Sequence, residues 1–144
     1  MVAEDVLHYL YVSRLDARHG PACVAAIFDV SRRRNRPAGL RGALLFDGER
    51  FAQLLVGDAQ VLAALLEDIR GDDRHAGFRA LFDGTDDAAA AAAVGLETVH
   101  SGLLAGEWRA GYAPPDALEA LDEPLAPAAA LAAFLGLLPH CDLD

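Results

Sequence analysis

The chain has 144 residues, of which 53% are hydrophobic and 24% are charged, a composition that suits one domain with a buried core. Its formal net charge of −10 at pH 7 argues against a nucleic-acid binder, because such proteins neutralise phosphates with lysine and arginine. The two cysteines, Cys23 and Cys141, form no metal or redox motif. The sequence contains neither a signal-peptide pattern nor an apolar run of about 18 residues, so we expect a cytoplasmic protein without a membrane partner.

The first part of the chain predicts alternating strands and helices, from the spacing of its apolar residues and its turn signals. The predicted strands are residues 7–13, 43–46, 50–56 and 78–82. The predicted helices are residues 22–33 and 59–70. Asp47-Gly48 supplies the positive φ that a tight hairpin needs between the second and third strands. The order β-α-β-β-α-β is typical of a ferredoxin-like sandwich with two helices on one sheet face.

The rest of the chain predicts a fifth strand and a helical tail. Residues 85–99 leave two alternatives open, because the cap and the alanine run favour a helix whereas residues 94–99 suit a strand. Residues 107–112 predict a fifth strand, and a short helix and an apolar helix at 127–138 follow it. We therefore expect an α+β fold with a five-stranded mixed sheet, two helices on one face and the C-terminal helices on the other, where they bury their apolar residues.

Three polar residues stand where they are expected to be buried. Tyr11 lies in the middle of the first strand, Gln53 lies in the middle of the third, and Asn35, the chain's single asparagine, follows the first helix. The first and third strands are neighbours at the centre of this fold, so Tyr11 and Gln53 are expected to meet on the helix-facing side. A buried amide needs partners for its donors and its acceptor. The pattern fits either a polar cluster that satisfies itself or a binding site.

Conventional catalytic motifs are missing from the sequence. It has no glycine-rich phosphate loop and no nucleophile elbow, and its five histidines show no metal-ligand spacing. The run Arg32-Arg33-Arg34 fits two interpretations equally, a phosphate contact or a cationic last turn that complements the helix dipole. We expect no metal.

Four segments in order resemble BLUF domains, the sensors of blue light that use FAD. They are residues 10–14, 31–46, 51–57 and 72–75, and the spacing from Tyr11 through Asn35 to Gln53 fits without a gap. The resemblance covers about residues 6–113, which are interpreted as the flavin-binding sensor domain. Residues 114–144 are interpreted as a C-terminal helical cap or output segment.

The resemblance implies FAD bound between the two helices. Tyr11 is then the photochemical electron and proton donor, and Gln53 is the switch that bridges Tyr11 to the flavin and stores the event by rotation or tautomerisation. The other residues implied at the cofactor are Ile27, Arg34, Asn35, Phe51, Ile69, Asp72, Arg74 and His75.

The position of the family's signature tryptophan has two possible occupants. An ungapped alignment places Val94 there, whereas an insertion of about fourteen residues places Trp108 there, with Ala110 in place of the family's methionine. We favour Trp108 and expect Trp108 and Ala110 to relay the signal. Further departures from the family pattern stand at Arg34, Val56 and Asp68.

The function implied is that of a short photoreceptor without enzymatic turnover, which signals to a downstream protein partner or by forming a homo-oligomer. Two alternatives remain open at this point. One is a flavin-free interaction module of the same family, suggested by those departures. The other is a small hydrolase of acylphosphatase type, for which the fold is the only support.

Overall fold

A computed structural model describes residues 6–20, 22–83 and 108–143, and a six-stranded sheet runs through them. The strands are β1 (Val6–Leu15), β2 (Arg41–Phe46), β3 (Arg50–Asp58), β4 (His75–Asp83), β5 (Arg109–Tyr112) and β6 (Asp142–Leu143). Their order across the sheet is β4-β1-β3-β2-β5-β6. The β2–β5 pair is parallel and the other neighbouring strands are antiparallel. The central strands β1 and β3 are thereby flanked on both sides.

The helices are α1 (Ala22–Asn35), α2 (Ala59–Gly71) and α3 (Pro127–Leu137), with short 3-10 turns at Ala117–Asp122 and Leu138–His140. Asp58 caps the start of helix α2, because its carboxylate accepts hydrogen bonds from the backbone N–H groups of Gln60 and Val61. Helix α3 begins at Pro127, which has no N–H to leave unpaired there. Within the described ranges, no helix is long and apolar enough to cross a membrane.

The ferredoxin-like order β-α-β-β-α-β is confirmed, but the prediction of five strands is wrong. The sixth strand, β6, is formed by two residues near the end of the chain, and Leu143 pairs with Gly111 of β5. A strand of two residues has no alternating pattern, so the sequence gives no periodic signal for it. Strand β4 begins three residues earlier than predicted. The alternatives for residues 85–99 lie outside the described residues.

The sheet separates two hydrophobic cores. On one face, Tyr9, Tyr11 and Leu55 pack with residues of α1 and α2. On the opposite face, strand residues such as Leu54 pack with the tail, where Phe134 of α3 has no solvent exposure. The prediction that the C-terminal helices cover this second face is confirmed, because their apolar side chains find a partner surface only there.

A buried aspartate joins the tail to the β2–β3 turn. The carboxylate of Asp47 accepts hydrogen bonds from the backbone N–H groups of Glu49 and Arg50, which shape the turn. Its second oxygen accepts a hydrogen bond of 2.9 Å from the backbone N–H of Leu118 in the first 3-10 turn. One side chain therefore fixes both the hairpin and the start of the tail.

Asp122 joins the end of the same 3-10 turn to three strands. Its carboxylate lies 2.6 Å from the guanidinium of Arg14 on β1, 3.1 Å from that of Arg50 on β3 and 3.4 Å from that of Arg79 on β4. The hydrogen bonds from Arg14 and Arg50 lower the pKa of Asp122 below its ordinary value. The charged form of Asp122 therefore stabilises the folded chain.

The Asp122 cluster predicts an acid-dependent loss of stability. Because the pKa of Asp122 is lower in the folded than in the unfolded chain, its contribution is complete above the unfolded pKa of about 4 and is lost as the pH falls through the folded pKa. Urea unfolding should show Asp122→Asn less stable than wild type at pH 7, with the difference shrinking below pH 4. Glu119→Gln in the same turn is the control. A difference that stays constant down to pH 3 would contradict this account.

Phe134 tests the contribution of the tail to the second core. Truncating this fully buried side chain should lower the free energy of unfolding by about 3–5 kcal/mol, because it removes contacts and leaves a cavity. Leu125, which is 40% exposed, is the matched control, and Leu125→Ala should cost under about 0.5 kcal/mol. Equal stabilities of the two variants in urea unfolding would show that the tail does not support the sheet.

Candidate functional site

Three buried side chains form a continuous hydrogen-bonded chain on the helix-facing side of the sheet. Tyr11 and Gln53 are direct partners in the β1–β3 ladder, and Gln53 Nε2 donates to the Tyr11 hydroxyl at 2.6 Å. The indole Nε1 of Trp108 donates to Gln53 Oε1 at 2.9 Å. The meeting of Tyr11 and Gln53 that the strand order predicts is therefore present, with Trp108 as a third member.

Trp108 determines how the Gln53 amide is oriented. An indole N–H only donates, so the atom of Gln53 that faces Trp108 has to be the acceptor Oε1. Nε2 then faces Tyr11 and uses one of its two hydrogens there. The second hydrogen is available to an acceptor in the cavity that Gln53 lines. Arg36 secures the arrangement, because its Nε donates to the backbone oxygen of Trp108 at 2.9 Å.

The environment of Tyr11 keeps its phenol neutral. Burial raises the pKa of Tyr11 well above its ordinary value of 10, and the hydrogen bond from Gln53 offsets only part of that effect. The hydroxyl therefore keeps its proton at physiological pH.

A cavity of about 480 Å³, its open mouth included, lies over this chain between α1 and α2. The predicted site residues that line it are Tyr11, Ile27, Arg34, Phe51, Gln53, Ile69, Asp72, Arg74 and His75. Asn35, Trp108 and Ala110 do not line it. The cavity therefore brings most of the predicted set together.

The two walls of the cavity come from the two helices. Ile27 of α1 and Ile69 of α2 supply apolar side chains, which suit the faces of a flat aromatic ligand. Ser31 and Arg34 follow Ile27 at four and seven positions, a spacing that places all three on one face of α1. Sequence reasoning missed Ser31, although this helical spacing is a signal that identifies it.

Four further residues line the cavity but were not predicted as site residues. They are Val30, Ser31, Leu44 and Asp68. One of them, Asp68, was noted only as a departure from the family pattern. Leu44 is the partner of Gln53 in the β2–β3 ladder and lies on the same sheet face. The strand pairing that identifies it is visible only when the register of the hairpin is known.

Asn35 carries an unsatisfied donor beside the cavity. Its side chain has no solvent exposure, and its Oδ1 accepts a hydrogen bond from Arg34 Nε at 3.4 Å. Its Nδ2 has no hydrogen-bond partner among the described residues. Leaving a buried donor unpaired costs about 1–3 kcal/mol. A ligand with a carbonyl group at its edge would remove that cost, and the isoalloxazine ring of a flavin is such a ligand.

Asp72, Arg74 and His75 line the cavity between the end of α2 and the start of β4. Arg74 Nη2 lies 2.6 Å from Asp72 Oδ2, and this hydrogen bond lowers the pKa of the Asp72 carboxyl below its ordinary value. His75 Nε2 faces the backbone oxygen of Ile69, which only accepts, so Nε2 carries the hydrogen. His75 Nδ1 forms a hydrogen bond of 2.8 Å with the hydroxyl of Ser13. His75 thereby connects the end of α2 to β1.

The two residues predicted to relay the signal differ in their position relative to Gln53. Trp108, directly before β5, contacts Gln53 through its indole. Ala110 is buried and pairs with Leu44 of β2, so one strand separates it from Gln53. The alternative occupant Val94 lies outside the described residues. Within the parts of the chain that the structure describes, no cluster of His, Cys, Asp or Glu is arranged to hold a metal ion.

Several solved structures of blue-light proteins resemble the chain. Klebsiella pneumoniae BlrP1 with FMN and cyclic diGMP is 29% identical, with a TM-score of 0.51 over 54% of this chain and 21% of that one. A bacterial light-regulated adenylyl cyclase is 26% identical, with a TM-score of 0.52 over 54% and 23%. The dark state of BlrB, a BLUF protein, is 29% identical, with a TM-score of 0.50 over 55% and 60%.

These alignments span only about a fifth of the two larger proteins and less than two thirds of BlrB. No curated protein sequence matches the chain. The family model that describes sensors of blue light using FAD matches residues 6–89, which is more than half of the sequence. That match displaces the interpretation as an acylphosphatase-type hydrolase, which rested on the fold alone. The chain belongs to the BLUF family and is a flavin-binding sensor of blue light.

Proposed function

We propose that the protein binds FAD in the cavity between α1 and α2 and uses the hydrogen-bonded chain Trp108–Gln53–Tyr11 as its light switch. The observation that carries the proposal is this chain, because one buried amide bridges a donor-only indole and an oxidisable phenol. Such a network has two arrangements, which is what a switch requires.

The residues present fit the cofactor. Ile27 and Ile69, which line the cavity, would contact the two faces of the flavin ring. Asn35 does not line the cavity, so its unpaired Nδ2 would donate to a carbonyl at the ring's edge after the Asn35 side chain turns toward the cavity. Arg34, next to Asn35 and lining the same cavity, would face the anionic part of the cofactor. The bound flavin supplies the absorption of blue light and a ring that accepts an electron.

Tyr11 is the oxidisable side chain of the network. A phenol that loses an electron becomes far more acidic, so its hydroxyl changes from the acceptor of the Gln53 hydrogen bond into a strong donor. Gln53 then rotates so that Oε1 faces Tyr11 and accepts this hydrogen bond, or it undergoes the equivalent tautomerisation. After rotation Nε2 faces the indole N–H of Trp108, so two donors oppose each other. Tyr11 would recover its electron from the reduced ring together with its proton, and the two opposed donors would then favour the return of the amide in the dark.

The geometry also supports a route to the tail, residues 114–144. Gln53 and Arg50 lie on the same strand, and Arg50 contacts Asp122 at 3.1 Å. Asp47 in the adjoining turn contacts Leu118. A shift of β3 would therefore move both attachments of the first 3-10 turn. We propose that the signal passes from the sensor residues 6–113 through this segment to a partner protein or a second copy of the chain.

The proposed switch predicts distinct losses in two variants. Tyr11→Phe removes the oxidisable phenol and Gln53→Leu removes the rearranging amide, so both should keep bound flavin but lose the reversible red-shifted photoproduct. Absorption spectra before and after blue light measure this effect. Tyr112→Phe, at a tyrosine that is 49% exposed, is the control and should behave as wild type. A normal photocycle in Gln53→Leu would contradict the proposed roles.

Asn35 provides a separate test of flavin binding. Asn35→Ala should weaken flavin binding by about 0.5–1.5 kcal/mol, which is roughly a 2- to 13-fold rise in Kd, because a buried hydrogen bond is lost. Titration of the flavin-depleted protein with FAD and with FMN measures the affinity. Gln60→Ala, at an exposed position of α2, is the control. An unchanged Kd for both flavins in Asn35→Ala would remove Asn35 from the binding site.

A further inference from the structure

We infer that Phe78 and Arg70 are positioning residues for Tyr11. Together with Tyr9 and Tyr11 they form a connected set of four side chains, here called the aromatic clamp, that holds the Tyr11 phenol where its hydroxyl meets Gln53. The inference rests on the proposed function, because it concerns the residue proposed to be oxidised. It assigns a role to two residues that were not predicted to act on Tyr11.

The contacts of the aromatic clamp connect three elements of the fold. The rings of Tyr11 and Phe78 are stacked, with centroids 4.6 Å apart and planes inclined by 25°. The Arg70 guanidinium lies 5.2 Å from the centroid of Phe78. Its Nη2 donates to the hydroxyl of Tyr9 at 3.1 Å. Strand β1 supplies both tyrosines, α2 supplies the arginine and β4 supplies the phenylalanine. These three contacts therefore hold β1, α2 and β4 together.

A β-bulge in β4 places Phe78 on the sheet face of Tyr11. Between the pairs Leu10–Phe82 and Tyr11–Ala80, β1 advances one residue while β4 advances two, so β4 contains one extra residue. Phe78 is two residues from Ala80 and therefore shares the face of Tyr11, whereas Phe82 belongs to the core on the opposite face. A second extra residue lies between the pairs Val12–Arg79 and Arg14–Ala76, where Gly77 has φ 64°, a left-handed conformation that glycine adopts without steric cost. Tyr9 and Tyr11 point to the same face because they are two residues apart on one strand.

The clamp acts on the direction of the Tyr11 hydroxyl. The hydroxyl lies on the long axis of the phenol ring, so tilting the ring swings the oxygen away from Gln53 Nε2. The stacked Phe78 ring prevents that tilt on one face. Arg70 covers Phe78 and is itself held by Tyr9, so the clamp keeps its shape while the Gln53 amide changes orientation.

Substitutions of Phe78 separate positioning from simple packing. Phe78→Leu keeps an apolar side chain but loses the flat ring, whereas Phe78→Tyr keeps the ring. Phe82 provides the matched control, because it lies on the same strand, is 1% exposed and belongs to the core on the opposite sheet face. Phe82→Leu removes a buried ring without touching the clamp. Arg70→Gln removes the cation and the planar group over Phe78.

The first measurement reads the Gln53 amide directly. The chain has two glutamines and one asparagine, so ¹⁵N spectra of the purified protein in the dark contain only three side-chain amide pairs. Gln60 is exposed and serves as the internal reference, and Gln53→Leu assigns the remaining glutamine. We expect the Gln53 pair to move at least halfway toward the Gln60 position in Phe78→Leu and to stay in place in Phe78→Tyr and Phe82→Leu. An unchanged Gln53 pair in Phe78→Leu would overturn the inference.

The second measurement is the yield of the red-shifted photoproduct per absorbed photon. We expect it to fall at least threefold in Phe78→Leu, to fall less in Arg70→Gln, and to equal the wild-type yield in Phe78→Tyr. A wild-type yield in Phe78→Leu would overturn the positioning role. If the wild-type protein itself gives no photoproduct, the proposed function fails. The amide spectrum still decides whether the clamp positions Tyr11, because it requires no photochemistry.

Discussion

Gln53 lies at the centre of the sheet between a group that can only donate a hydrogen bond and a phenol that can donate or accept one. Trp108 fixes Oε1 on one side, so Nε2 has to face Tyr11 on the other. The rest of the light-sensing face depends on this constraint. Strand β3 needs β1 as its direct neighbour to supply Tyr11, and it needs the parallel β5 beyond β2 to bring Trp108 close. The strand order therefore brings together the three side chains of the proposed switch.

The two faces of the sheet serve different purposes but share β3. One face carries the cavity and the aromatic clamp, and the other face is closed by the tail. The same strand carries Gln53 toward the cavity and Arg50 toward Asp122 at its end. A rearrangement of one amide is therefore three residues away from an ion pair that holds the tail. This proximity supports the proposal that the signal passes through the tail.

The sequence predicted the pair of Tyr11 and Gln53 because buried strands have a regular pattern of apolar residues. Tyr11 and Gln53 interrupt apolar strands at matching positions, and the β-α-β-β order makes those strands neighbours. The aromatic clamp has no such pattern in the sequence. It depends on the bulge between Phe82 and Ala80, which changes the register of β4 by one residue and cannot be read from alternation. Asp122 was missed for a related reason, since its contact with Arg14 spans 108 positions along the chain.

The central claim is that the Gln53 amide rearranges between Trp108 and Tyr11 in the light. Because the chain has a single tryptophan, its indole N–H gives one ¹⁵N resonance. Spectra of the flavin-loaded protein should show this resonance and the Gln53 side-chain amide both moving under blue light and returning in the dark, while Gln60 stays unchanged. A reversible shift of the flavin absorption band with both resonances fixed would contradict the account.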